Sequence, residues 1–160
     1  MRATLLLCEA AQVADGKLNV LGAGWIEIGT GPATMAVAVL IQLSAAEADG
    51  AHHFELFLTQ ADHQPVFVDT PTGSMPVEVR GDVNVVLPEG FDRSLLLPWP
   101  IAVNVPGLAL ESGKGYQWNL VVDGESQPDW VLAFRTRPEP PDGTAPNGAA
   151  PGGPPPGGTG

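Results

Sequence analysis

Period-two alternation constrains this chain more than any other feature. In Val77-Glu78-Val79-Arg80-Gly81-Asp82-Val83-Asn84-Val85 the odd positions are apolar except Gly81, and the even positions are polar. A strand points successive side chains to opposite faces. The run therefore reads as a half-buried strand, with Val77, Val79, Val83, Val85 and Leu87 toward a core and Glu78, Arg80, Asp82 and Asn84 toward water. Gly81 reads as a bulge or bend.

The same logic finds further strands. Residues 4–10 and 17–26 flank Ala14-Asp15-Gly16-Lys17, a hairpin signal because both central residues tolerate positive φ. Residues 34–43 are apolar on both faces, which points to a central strand or to one covered by a partner. Further runs lie at 53–60, 66–68, 99–105, 115–122 and 130–136, with turns at Asp62-His63-Gln64-Pro65 and Asp123-Gly124. Helical periodicity is nearly absent; Ser44 and Glu47, at capping-box spacing, suggest one helical turn. The pattern predicts an all-β fold, an immunoglobulin-like antiparallel β-sandwich of about seven to nine strands. Leu110, Gly113 and Tyr116 have the spacing of a corner in which a tyrosine hydroxyl bonds back to the preceding backbone.

Composition shifts sharply at residue 138. Residues 138–160 hold 8 Pro and 7 Gly with no Val, Ile, Leu or aromatic residue. Such a segment has little to bury against its ordering entropy, so a disordered tail is expected. Its Pro151-x-x-Pro154 spacing lacks flanking basic residues and is a weak ligand signal. Residues 1–137 hold all 7 Lys and Arg and read as one domain.

Charge and cysteine usage narrow the function. The net charge of -11, with no basic cluster, argues against nucleic acid as a partner. No apolar run reaches the roughly 18 residues a membrane helix needs, so no membrane partner is expected. Leu5-Leu6-Leu7-Cys8 is too short and too bulky for a processing signal, and a cytoplasmic setting is the expectation. Cys8 is the one cysteine and reads as a small core residue.

Several blocks stand together here: Ala11-Gln12-Val13, Asp15-Gly16-Lys17-Leu18, Gly22-Ala23-Gly24-Trp25, the run from Leu97 to Glu125, and the closing Trp130 to Pro138. Over about residues 3–138 they resemble a family of small uncharacterised bacterial proteins, a domain of unknown function. The resemblance implies one compact β-domain and carries no catalytic residue over.

Candidate chemistry is sparse. Gly22-x-Gly24 lacks the third glycine of a dinucleotide fingerprint and a following helix, so those glycines are expected to let Trp25 pack. His53, His63 and Asp69 are weak candidate metal ligands, with His53 meeting Asp69 if strand 53–60 pairs with 66–69. No Ser or Cys has a nucleophile-elbow setting. Trp99, flanked by Pro98 and Pro100, reads as a loop aromatic that is either a packed lid or an exposed contact.

Three functions compete. The first is a non-catalytic interaction or assembly module, with a protein partner or a homodimer covering residues 34–43. The second is a small-ligand binder for a sugar or an apolar metabolite, with Trp25 or Trp99 as floor and Asn104, Gln117 or Asn119 as polar contacts. The third is a hydrolase or metal enzyme using His53, His63 and nearby acids. The expectation is the first, with no enzyme activity and no cofactor.

Overall fold

Ala33–Leu43 (β5) is apolar on both faces and takes the centre of a three-stranded antiparallel sheet, between Arg2–Cys8 (β1) and Leu97–Leu108 (β10). The computed structural model that shows this describes residues 1–29, 31–48 and 50–139. The expected tail, apart from Pro138 and Glu139, lies outside those residues. On the inner face of β5, Met35, Val37, Val39, Ile41 and Leu43 are fully buried. On the outer face, Ala36 and Ala38 are buried too, and what covers them is the chain itself. Ala10–Ala14 (β2) and Lys17–Leu21 (β3) form a hairpin that lies across that face, where Cys8, Ala11, Ala36 and Ala38 pack together with Leu18 and Ala102. Alanine at these positions leaves room for a second backbone layer.

The hairpin turn is as expected, with Asp15 and Gly16 at φ of 51° and 69°. The preceding strand is not. The run expected over 4–10 breaks at Glu9: β1 stays in the sheet, and β2 leaves it to pair with β3.

A second sheet faces the first. It runs Glu27–Ile28 (β4), Val131–Thr136 (β12), Gly115–Val122 (β11), Gly50–Gln60 (β6) and Glu78–Val85 (β9) in spatial order. Its inner side chains, among them Leu56, Leu58, Trp118, Leu120 and Phe134, join those of β1, β5 and β10 in one core. Phe67–Thr70 (β7) and Gly73–Pro76 (β8) form a separate projecting hairpin. The described residues are all-β and hold no helix, and every strand pair is antiparallel except the short parallel contact of β4 with β12. Ser44–Ala48 is a hydrogen-bonded turn in which the Ser44 N–H and hydroxyl both donate to Glu47 Oε2, at 2.9 and 2.7 Å. No helix long and apolar enough to cross a membrane occurs among the described residues.

Two local expectations need correction. Gly81 is not a bulge, since β6 and β9 pair in unbroken register through it. The glycine is there for packing: a Cβ would sit 2.6 Å from Cε1 of Phe54, whose ring fills that space. Trp99 is not in a loop; Pro98 and Pro100 lie inside β10. An edge strand tolerates proline where the nitrogen faces away from its neighbour, and Pro98, Pro100 and Pro106 share one parity.

The tyrosine corner is present. The Glu111 N–H donates to Tyr116 Oη at 2.9 Å, and the same hydroxyl meets the Glu111 carbonyl at 3.5 Å. Thr136 Oγ1 also donates to that carbonyl, at 2.6 Å. Tyr116 is buried, so its hydroxyl cannot trade these partners for bulk water. Tyr116→Phe is expected to cost about 1 kcal/mol in chemical denaturation. An unchanged denaturation midpoint would show that the corner holds nothing.

Candidate functional site

Alternation sends the polar residues of β6, β9 and β11 to the outer face of the five-stranded sheet. Register then decides which of them meet. Glu55 lies opposite Arg80, and His53 lies opposite Asp82. The Arg80 guanidinium reaches Glu78 at 3.1 Å and Glu55 at 3.4 Å. His53 Nδ1 is 2.7 Å from Asp82 Oδ1. Farther along the face, Gln117 Nε2 is 2.9 Å from His63 Nδ1, and Asn119 Nδ2 donates to Thr59 Oγ1 at 3.1 Å. The face is a mosaic of paired polar groups around the half-buried Phe57 and Val121. Beside it the β7–β8 hairpin stands off the sandwich and leaves a cleft of about 440 Å³, walled by Phe57, Pro65, Phe67 and Pro76 with Glu78 and Arg80 at the rim. Phe67 on that hairpin is 56% exposed.

The backbone of β9 adds a second feature. The His53 carbonyl accepts from Asp123 N–H, so odd residues of β6 turn their backbone toward β11 and even residues toward β9. Their partners on β9 are Val79, Gly81 and Val83. The N–H and C=O groups of Glu78, Arg80, Asp82 and Asn84 therefore aim at the free edge. Of the four edges of the two facing sheets, β4 is two residues long, β10 carries three prolines, and β1 is met at the Leu7 carbonyl by Gly24 N–H. β9 runs for eight residues with no proline, and among the described residues no strand lies beside it. Sheets commonly blunt such edges; this one is open.

The residues expected to hold a ligand do not converge. Trp99 is buried on the inner face of β10, edge-on to Phe54 and 5.8 Å from the His52 ring. Packing, not contact, is its role. Trp25 is half-buried, and its indole N–H donates to the Gly22 carbonyl at 2.8 Å. Gly22 and Gly24 have φ of 61° and 96°, which lets the chain fold back for that bond. Asn104 lies on the outer face of the opposite sheet, where its amide brackets Ala11: the Ala11 N–H donates to Oδ1 at 3.1 Å and Nδ2 donates to the Ala11 carbonyl at 2.8 Å. Only Gln117 and Asn119 share a surface.

The metal candidates are also apart. His53 and Gln60 stand seven residues apart along β6, roughly 23 Å of strand, and His63 follows Gln60. β6 pairs with β9, so the carboxylate at His53 is Asp82, while Asp69 faces Ser74 within the β7–β8 hairpin. Among the described residues no three His, Cys, Asp or Glu side chains gather as a metal site.

One pair escaped the sequence. His52 Nδ1 is 2.7 Å from Asp123 Oδ2, and Asp123 Oδ1 accepts from the His53 N–H at 2.8 Å. The arrangement has the form of a base with its orienting carboxylate. The outward half is missing: His52 Nε2 is buried without a hydrogen-bond partner among the described residues, its ring beside Trp99. The pair is a structural clasp on the Asp123-Gly124 turn. Burial acts to raise the Asp123 carboxyl, but the bonds from His52 and the His53 amide outweigh it and hold the group below its ordinary value of 3.8. A depressed folded value means the stabilisation is present above 3.8 and is lost as pH falls through the lower folded value. Acid titration of stability is expected to steepen below that pH, and Asp123→Asn is expected to flatten this limb. Equal acid limbs in both proteins would refute the assignment.

Comparison with the curated proteins found no match, and neither did comparison with the solved structures. A family model does match. Residues 3–135, from the second residue of β1 to the last but one of β12, fit the model of a family of unknown function (DUF6941), and the chain belongs to that family.

Proposed function

We propose that the chain is a non-catalytic interaction or assembly module on an immunoglobulin-like sandwich. Two features support the sandwich type. The sheet orders β1-β5-β10 and β9-β6-β11-β12 correspond to A-B-E and C′-C-F-G, and the tyrosine corner falls at the start of the strand in the F position. The buried, unpaired thiol of Cys8 suits a reducing, cytoplasmic setting.

The observation that carries the functional reading is the open β9 edge. Main-chain groups presented along an edge recruit an extended segment by strand addition, with neighbouring side chains setting the choice of partner. The small-molecule alternative has less support, since Trp99 is buried in the core and Trp25, Asn104 and the Gln117–Asn119 pair lie on separate surfaces. Hydrolysis has less still, with His52 Nε2 enclosed.

Asp82→Pro tests the reading. Its N–H faces outward, so proline removes an edge donor and leaves the bonds to β6 in place. Proteins captured by the immobilised full chain, copies of itself included, are expected to be lost with the Asp82→Pro chain. An identical captured set would count against the β9 edge.

A further inference from the structure

The residues along β9 are complementary to themselves. Consider a second copy laid antiparallel along the free edge. Outward-facing residues must oppose outward-facing residues, so allowed registers differ by steps of two; a one-residue slip would also put side chains on the wrong face. In the register that sets Gly81 against Gly81, Arg80 faces Asp82 of the partner subunit, and Asp82 faces the partner's Arg80. Glu78 meets the partner's Asn84, and Val79 meets the partner's Val83. The neighbouring registers fail on charge: one opposes Asp82 to Asp82, and the other opposes Arg80 to Arg80 and Glu78 to Asp82.

We infer that two copies of this chain pair through their β9 edges, antiparallel and two-fold symmetric about Gly81. The inference rests on the assembly-module reading and names its partner. Arg80 and Asp82 both sit on the outward-directed backbone set, so each faces its opposite as a hydrogen-bonded pair with Cα atoms about 5.5 Å apart. Four such pairs, from Glu78 to Asn84, supply about eight main-chain bonds. The side chains have capacity to spare. The Asp82 side chain is 81% exposed and gives only Oδ1 to His53. The Arg80 side chain is 56% exposed and has five N–H donors to divide among Glu78, Glu55 and a third carboxylate. Continuing the sheet also puts Val79 and Val83 of one copy against Val83 and Val79 of the other on the core side.

The test is charge reversal, read by sedimentation equilibrium on the full chain near 0.15 M salt, with thermal melts of each variant alongside. The parent is expected to dimerise. Arg80→Glu sets a carboxylate against the partner's Asp82, and Asp82→Arg sets a guanidinium against the partner's Arg80. Each is expected to weaken self-association about 30-fold, since two attractive pairs become two repulsive ones at about 1 kcal/mol each. Mixing the two variants, or joining them in one chain, restores opposite signs at both contacts and is expected to restore dimerisation. A parent that stays monomeric to about 1 mM overturns the pairing. A dimer indifferent to both reversals overturns it as well. Either failure is separable from the interaction-module reading, which stands or falls on capture with the Asp82→Pro chain.

Discussion

Trp118→Ala is expected to destabilise the chain by about 3–5 kcal/mol. The side chain is fully buried in the middle of β11, between Leu58 on β6 and Leu132 on β12. An indole removes on the order of 200 Å² from water, and the two facing sheets cannot close over its loss without breaking the registers on either side. A domain of this size has only about 5–15 kcal/mol to lose, so a large fraction of the variant should be unfolded at modest denaturant. Trp118→Phe separates packing from polarity. The Trp118 indole nitrogen is buried with no hydrogen-bond partner among the described residues. Phenylalanine loses volume but also removes that unsatisfied donor, whose burial costs about 1–3 kcal/mol. Denaturation is expected to place Phe much closer to the parent than to Ala. If Ala cost under about 1 kcal/mol, Trp118 would not be the centre of this core.

How much of this was legible in the sequence depended on range. Short-range chemistry was readable. The inward and outward residues from Val77 to Leu87, the Asp15-Gly16 and Asp123-Gly124 turns, the buried Cys8 and the Tyr116 corner all follow from neighbours within a few positions. Long-range adjacency was not. Nothing near His53 says that its cross-strand neighbour is Asp82 and not Asp69, because the chain makes a whole hairpin, β7–β8, before β9 returns to pair with β6. The His52–Asp123 clasp was hidden for the same reason. The two-faced burial of β5 was visible, but its cover was not: the turn residues specify a hairpin without saying where it lies. Parity alone bears on part of the ligand set. Trp99 and Asn104 have opposite parity on one strand, so they could never have lined one pocket. Gly81 shows the limit of residue signatures, since a glycine that makes room for a ring and one that makes a bulge look alike in sequence.

Ala36→Leu is expected to cost about 2–3 kcal/mol, and its effect should be local. Ala36 is fully buried between the outer face of β5 and the β2–β3 hairpin, beside Cys8, whose thiol donates to the Ala36 carbonyl at 3.4 Å. Three added carbons have no free space on the sheet side, where β1 and β10 flank the strand in register. The soft side is the hairpin, which rests on a few alanines and on the Asn104 bracket around Ala11. A unit held by so little apolar surface opens before the sandwich does. Cys8 reports that opening. In the parent its thiol is fully enclosed, and burial pushes its pKa up, so it should resist thiol reagents under native conditions. In Ala36→Leu the labelling rate is expected to rise about 30-fold or more, as about 2 kcal/mol of strain is relieved by lifting the hairpin. Asn104→Ala should act in the same direction and more weakly, because water can reach the freed Ala11 groups at that exposed rim. Should Cys8 stay unreactive in both variants while global stability falls, the strain would be spreading through the core, and the hairpin would be an integral layer of the fold.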